Sequence, residues 1–321
     1  MFFQNSQPRA RHHQFATGFL VALACWNQSL LGERPAWSQP PKIIELWSGL
    51  APGETTRDQG KPLPARPDEK PPATRLADVT SPHLSVHLGQ AGKVPKPAFV
   101  ICPGGGFRYT VVDKEGSEPA EWLNAQGIAA FVLRYRTIPT QPKVEERPAD
   151  PWTRPLTDAQ RAIRLIRSQA RELGIDPQRV GILGFSAGGH VAALVATASA
   201  AAGPSDQPSP DAIDQEDARP NFAMLIYPAY LYDDKSEKLV DRVQASASTP
   251  PCFLVHTHDD SLTSLGPTYF YAALKAHKVP AELHIFQRGG HGYGIREVAG
   301  ANVHTWVEPA RHWIQHTLRI P

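Results

Sequence analysis

Residues 179–196 read RVGILGFSAGGHVAALVA: an apolar run from Arg179 to Phe185, a serine at 186, and a small-residue apolar segment from Ala187 to Ala196. The first part has the continuous hydrophobicity of a strand buried on both faces, and the second opens a helix. Across the join, Gly184, Ser186 and Gly188 form a G-x-S-x-G pentapeptide. Gly and Ser are common residues, so the pentapeptide alone carries modest information; its flanks give it meaning. In a strand-turn-helix, small residues at 184 and 188 relieve crowding between strand and helix. The sharp turn then holds a serine at strained dihedrals with its hydroxyl lifted clear of the sheet.

The same alternation extends along most of the chain. Strand-like runs occur at 98–102, 128–135, 179–185, 222–227, 252–256 and 281–286, and helix-like stretches at 117–126, 156–173, 187–201, 267–277 and 303–318. The strand runs are mostly apolar, as expected when helices cover both faces of a sheet. The order β-α-β-α-β-α-β-β-α-β-α predicts an α/β fold with a mostly parallel central sheet. Residues 51–73, 139–155 and 203–220 are rich in Pro, Asp, Glu or Ser, and the rhythm resumes after each, so they read as surface excursions. The second carries Trp152 and follows a strand whose carboxyl end should face the site, a position suited to a pocket wall. The reading is of one catalytic domain over 76–321 with no large cap domain, behind a Pro-rich segment at 39–75.

Composition narrows the class. With 41% hydrophobic and 20% charged residues among 321, the chain can bury a sizeable core, and its 32 prolines mark loops. Residues 1–38 contain Arg9, Arg11 and Arg34 against Glu33, so they hold the whole net charge of +2 and the remainder is neutral. A body without a basic stripe argues against nucleic acid as a partner. Arg9, Arg11, His12 and His13, an apolar stretch from Phe15 to Trp26, and Ala36-Trp37-Ser38 have the order of a secretory signal peptide over 1–38. The expected location is therefore secreted or periplasmic. The apolar stretch falls short of the ~20 residues of a bilayer span, so no membrane span is expected in the mature chain, an uncleaved N-terminal anchor being the alternative. Cys102 would end one strand and Cys252 begin another, roughly 15–20 Å apart in a parallel sheet, which predicts two buried free thiols.

A serine alcohol needs a base, and an imidazole titrating near pH 6.5 suits that task. Of 13 histidines, His291 sits in the Gly-rich loop 289–294 between the last strand and the last helix, able to reach Ser186. His190 reads as a packed helix residue and His256 as structural. The acid that fixes the imidazole should follow the penultimate strand, where His256-Thr257-His258-Asp259-Asp260 stands. Asp260 is the choice and Asp259 the runner-up, because adjacent side chains cannot both face His291. A second glycine cluster, Cys102-Pro103-Gly104-Gly105-Gly106-Phe107, follows the first clear strand. It can aim the Gly105 and Gly106 amides at a developing oxyanion, with Ala187 N–H as a further donor. It lacks the Lys-Ser/Thr of a phosphate-binding loop and the full dinucleotide fingerprint. The His256–Asp260 run has neither H-E-x-x-H nor Cys pairs, so no metal or other cofactor is expected. Acid pairs such as Glu145-Glu146 could be nominated for sugar-bond cleavage, but leave the serine constellation unexplained.

With these residues assembled, residues 40–321 resemble secreted bacterial α/β-hydrolases of the acetylesterase and acetylxylan-esterase-like group. The resemblance rests on the 102–107 and 184–190 stretches, Asp113-Lys114-Glu115-Gly116, Asp158-Ala159-Gln160-Arg161-Ala162 and Gly289-Gly290-His291-Gly292-Tyr293-Gly294. It implies the α/β-hydrolase fold, acyl-ester hydrolysis, a triad of Ser186, Asp260 and His291, and oxyanion donors at Gly105, Gly106 and Ala187. Pro103 stands where related esterases often have His, and Ser261-Leu262-Thr263-Ser264 replaces the Val-Pro that frequently follows the acid. The expected activity is a serine carboxylesterase acting on acetyl esters of a plant or algal polysaccharide or oligosaccharide such as acetylated xylan. The alternatives are a serine peptidase of the prolyl-oligopeptidase kind, which would normally carry a propeller domain, and a non-catalytic secreted glycan-binding protein. Phe107, Tyr109, Trp152 and Tyr293 are candidates for stacking on sugar or for ordinary packing.

Overall fold

Side chains alternate between the two faces of a strand, so a run that is apolar at every position can be buried only between two layers. The computed structural model, which describes residues 41–90, 92, 94–140, 148–198 and 211–319, has that arrangement; the expected signal segment 1–38 lies outside the described residues. The strands are β1 (Lys42–Glu45), β2 (Gln59–Pro62), β3 (Arg75–Val79), β4 (His83–His87), β5 (Lys96–Cys102), β6 (Tyr109–Val111) and β7 (Ala129–Arg134). They continue with β8 (Ile175–Phe185), β9 (Ala223–Ile226), β10 (Tyr232–Asp233), β11 (Lys238–Leu239), β12 (Cys252–Thr257) and β13 (Ala281–Phe286). The helices are α1 (Glu118–Asn124), α2 (Thr153–Ser168), α3 (Ala170–Leu173), α4 (Ala187–Thr197), α5 (Leu265–Ala276) and α6 (Val307–Leu318).

Eight strands form the central sheet in the order β1-β4-β7-β5-β8-β9-β12-β13. Only β4 runs against its neighbours; the others share one direction. Alternate residues of each strand enter two cores. Val100 and Phe131 pack with α2, α4 and α5 on one face, whereas Phe99 and Ile101 pack with α1 and α6 on the other. The chain passes from β5 to β7 on one side and then crosses to β8 on the other, so the carboxyl ends of β5 and β8 bound the crevice where such sheets place their sites.

Two strands of the sheet lie outside the expected set. β1 and β4 are four and five residues long, with half-polar sequences KIIE and HLSVH, and lack the apolar continuity of the parallel strands. Residues 41–75, read from the sequence as a lead-in, thus supply β1 to the main sheet and β2 to a three-stranded sheet β2-β3-β6. Ends also move. β8 begins at Ile175 and takes in the polar Asp176-Pro177-Gln178, a stretch passed over by a register shift against β5 between Lys96 and Ala98. The helix expected over 156–173 starts at Thr153 and breaks at Gln169 into α2 and α3, closed by Gly174 at φ 67°.

Asp158 and Arg161 of α2 clamp the layers together. Asp158 pairs with the buried Arg136 at 2.9 Å, and Arg161 reaches Asp211 at 2.5 Å and Asp214 at 2.9 Å. Arg161 also donates to Leu46 O at 3.1 Å, tying the N-terminal strand region to α2. Asp158, Arg136, Arg161 and Asp214 are buried, each with a hydrogen-bonded partner, the condition under which burial of an ion is tolerated, and Asp211 is exposed. Cys102 and Cys252 are buried and unpaired, on strands separated by β8 and β9.

Candidate active site

The turn after β8 is as sharp as the pentapeptide requires. Ser186 adopts φ 53° and ψ −120°, a conformation that costs a non-glycine residue about 1–3 kcal/mol. Hydrogen bonds hold it there: Ser186 N donates to Ile226 O at 3.1 Å, and Ser186 O accepts from His190 N at 3.1 Å and Ala229 N at 3.0 Å. A Cβ on Gly184 would fall 2.1 Å from Gly188 O, and one on Gly188 would fall 1.9 Å from Cys102 O. Both glycines are therefore demanded by backbone approach, within the turn and between α4 and the end of β5.

His291 arrives from the loop after β13. Its Nε2 lies 2.7 Å from Ser186 Oγ and its Nδ1 2.6 Å from Asp260 Oδ2. A carboxylate on Nδ1 fixes the tautomer with hydrogen on that atom and leaves Nε2 as the acceptor facing serine. Asp260 is buried, whereas the His291 side chain keeps 26% of its surface exposed. His256 Nε2 stands 3.1 Å from the same Asp260 oxygen. Burial opposes ionisation of Asp260, but its contacts with His256 and His291 and the Leu262 amide outweigh burial and hold the carboxyl well below the usual range.

The neighbouring acid does something else. Asp259 accepts from Gly289 N at 3.2 Å and Gly290 N at 2.9 Å, while Thr257 Oγ1 donates to Gly290 O at 2.7 Å. The end of β12 thus secures both the imidazole, through Asp260, and the backbone just before it, through Asp259 and Thr257.

The glycine loop after β5 lies against the serine: a Cβ on Gly104 would be 2.8 Å from Ser186 Cβ. Gly105 and Gly106 both have positive φ, 138° and 58°. Gly104 O and Gly105 O accept from Val111 N and from Arg108 and Tyr109 N within the loop. The amides of Gly105, Gly106 and Ala187 donate to no acceptor among the described residues.

The Gly104 amide is taken by Glu115, a residue of the Asp113–Gly116 stretch that the sequence gives no role. Its Oε2 accepts from Gly104 N at 2.7 Å and its Oε1 from Tyr227 Oη at 2.8 Å; Tyr227 Oη accepts in turn from Gly294 N at 2.9 Å. Burial pushes the Glu115 carboxyl up, against the pull of those two donors. One carboxylate therefore joins the glycine loop to the histidine loop.

The structure distributes the remaining candidates differently. Phe107 and Tyr293 are buried, as packing residues are, and Tyr109 Oη accepts from Arg66 at 3.0 Å. His190 is buried in α4: Nδ1 donates to Ala229 O at 3.3 Å and Nε2 accepts from Arg242 Nε at 3.0 Å. Burial and the adjacent guanidinium lower its pKa to about 3, so the ring stays neutral.

Sheet order, elbow and the serine–histidine–aspartate array define an α/β hydrolase. A family model described as BD-FAE matches residues 84–224. An acetyl ester-xyloside bifunctional hydrolase from Caldicellulosiruptor lactoaceticus superposes with a TM-score of 0.65 at 32% identity, covering 88% of this chain and 98% of that one. The acetylxylan esterase of Xylanibacter ruminicola is 30% identical over 62% of this chain, and endo-1,4-beta-xylanase B of Butyrivibrio fibrisolvens is 30% identical over 67%. The chain spans 41% and 35% of the lengths of those two relatives. The chain belongs to the BD-FAE family of α/β hydrolases.

Proposed function

We propose that the protein is a serine carboxylesterase that removes acetyl groups from a polysaccharide or oligosaccharide such as acetylated xylan. The observation that carries this reading is the pair of contacts on His291: 2.7 Å to Ser186 Oγ and 2.6 Å to Asp260 Oδ2, beside amides with no other acceptor. Ser186 Oγ attacks the ester carbonyl carbon as His291 Nε2 takes its proton. The carbonyl oxygen, now negative, rests on the Gly105, Gly106 and Ala187 amides. The intermediate collapses, the C–O bond to the sugar breaks, and the leaving alkoxide takes the proton from His291. Water then repeats the attack on the acyl-serine with His291 again as base, releasing acetate and free serine. No cofactor enters any step.

The acetylxylan esterase relative supports acetylated xylan as the first substrate to try. Cleavage of a xyloside is not part of the reading, because Asp260 is engaged with His291 and Glu115 with Gly104 N and Tyr227 Oη. A glycosidase needs two carboxyl groups free to face the sugar. Arg9 and Arg11, the apolar stretch that follows and Ala36-Trp37-Ser38 support export as the setting in which a glycan would be met.

The test measures acetate released from acetylated xylan, with Ser186→Ala and p-nitrophenyl xyloside run alongside. Release that disappears in the variant is expected. Release that persists in the variant would remove Ser186 from the mechanism, and no release by folded native protein would remove acetylated xylan as substrate.

A further inference from the structure

On the segment that follows β9 opens a cleft of about 610 Å³, lined among others by Asp150, Trp152, Tyr230, Tyr232, Asp233 and Arg242. Tyr230 joins it to the reaction centre. The residue before it, Ala229, donates its amide to Ser186 O at 3.0 Å, and Tyr230 Oη lies 3.6 Å from where a Cβ on Gly106 would stand. Tyr230 thus stands between the cleft and the glycine loop.

The walls are held in place. The Arg242 guanidinium lies 3.9 Å from the Trp152 ring centroid, its Nε donates to the buried His190 at 3.0 Å, and Nη2 donates to Tyr230 O at 3.4 Å. Nη1 has no hydrogen-bond partner among the described residues. Tyr230 itself sits at φ 59° with 42% of its surface exposed. An aromatic residue in that backbone region is strained by about 1–3 kcal/mol, and such strain gathers at ligand sites. Here it keeps an aromatic ring in the cleft lining, tilted against Phe107 at 5.8 Å between centroids.

The chemistry of the lining selects among ligands. Asp150, Asp233 and Asp241 outnumber Lys238 and Arg242, which disfavours an anionic group, and so charged a lining disfavours a long acyl chain. A sugar ring fits better. Each hydroxyl both donates and accepts, matching a cleft that presents carboxylates, a guanidinium N–H and phenol hydroxyls, while its C–H face packs on an aromatic ring. We infer that this cleft is the subsite for a neutral pyranose unit of the glycan that carries the ester. The inference rests on the esterase reading for its orientation toward Ser186.

Two measurements on the full chain test it. In the first, native protein is titrated calorimetrically with xylotetraose, which has no ester and is not turned over. Binding is expected, weakened at least fivefold by Tyr230→Ala and by Asp150→Ala. In the second, the ratio of kcat/KM for acetylated xylotetraose to that for glycerol triacetate is expected to fall at least tenfold in the same variants, mostly through KM. Asp150 is exposed, so its variant keeps the test open if Tyr230→Ala fails to fold. Absence of xylotetraose binding by protein that deacetylates the oligosaccharide, or a ratio unchanged in Asp150→Ala, would overturn the subsite. Protein that hydrolyses neither ester but binds xylotetraose, and loses binding in the variants, would overturn the esterase reading and support the cleft.

Discussion

Two buried carboxylates flank Ser186, and they differ in the partners that face them. Asp260 faces two imidazoles, His291 at 2.6 Å and His256 at 3.1 Å. Glu115 faces the Gly104 amide and the Tyr227 phenol, donors that keep their protons at neutral pH. Both acids accept two or more close contacts, and their pKa values move in opposite directions: down for Asp260 and up for Glu115, although burial pushes each up. A carboxylate beside a catalytic imidazole can stabilise the charge that ring acquires during reaction. One beside fixed donors can only hold geometry. Glu115 is on this comparison a positioning residue, bracing the glycine loop and, through Tyr227 and Gly294, the histidine loop.

The sharpest way to break the comparison is to neutralise each acid in turn. Asp260→Asn should lower kcat by about 10³–10⁴-fold, because the amide favours the wrong imidazole tautomer and no longer offsets the imidazolium charge. Glu115→Gln should lower it by about 10–100-fold and leave the shape of the pH–rate profile in place, since the amide can serve only one of its two donors as acceptor. Initial rates on p-nitrophenyl acetate between pH 5 and 9 measure both. Equal losses, or a pH profile reshaped by Glu115→Gln, would erase the distinction.

A smaller effect tests the assignment of Asp260 over its neighbour. Asp259 binds the Gly289 and Gly290 amides and does not touch the imidazole. Asp259→Asn retains an acceptor oxygen for those amides, so kcat should change by no more than about threefold. A loss near that of Asp260→Asn would reverse the two roles. Tyr227→Phe belongs at a similar level on the stability side. It strips a partner from Gly294 N and Glu115 Oε1 and should cost about 1–3 kcal/mol, read from the denaturant midpoint.

The contrast also governs how much of the site could be read before the fold. Ser186 is marked by its flanks, because a strand buried on both faces and a small-residue helix leave few other uses for the glycines between them. His291 is marked by its place after the last parallel strand. Asp260 is the sequence choice with Asp259 as runner-up, and only the turn after Thr257 decides which carboxylate swings to His291 and which to the glycine amides. Glu115 and Tyr227 lie 112 residues apart, one in a helical turn and one just past an apolar strand. Neither position carries a local pattern for their meeting, which exists only because β5 and β9 flank β8. The strands follow the same logic: those buried on two faces announce themselves, whereas β1 and β4, short and half-polar, do not.

The smallest effect separates the acids by thermodynamics alone. Glu115 has a raised pKa in the folded chain, so its protonation favours the native state. Its contribution is fully present below the unfolded value near 4.5 and is lost as pH rises through the folded value. Asp260 has a lowered pKa, so its contribution is present above the unfolded value near 3.8 and is lost only as pH falls below that. Between pH 5 and 7 the stability gap between native protein and Glu115→Gln should therefore narrow with rising pH, by about 1 kcal/mol or less, while the gap to Asp260→Asn stays flat. Urea titrations at intervals across that range measure both gaps. A flat gap for Glu115→Gln would mean that its two donors hold the carboxylate ionised against burial. The glycine loop would then lean on a permanent negative charge close to Ser186, where attack on an ester also builds negative charge. The Gly105, Gly106 and Ala187 amides would have to work against that field.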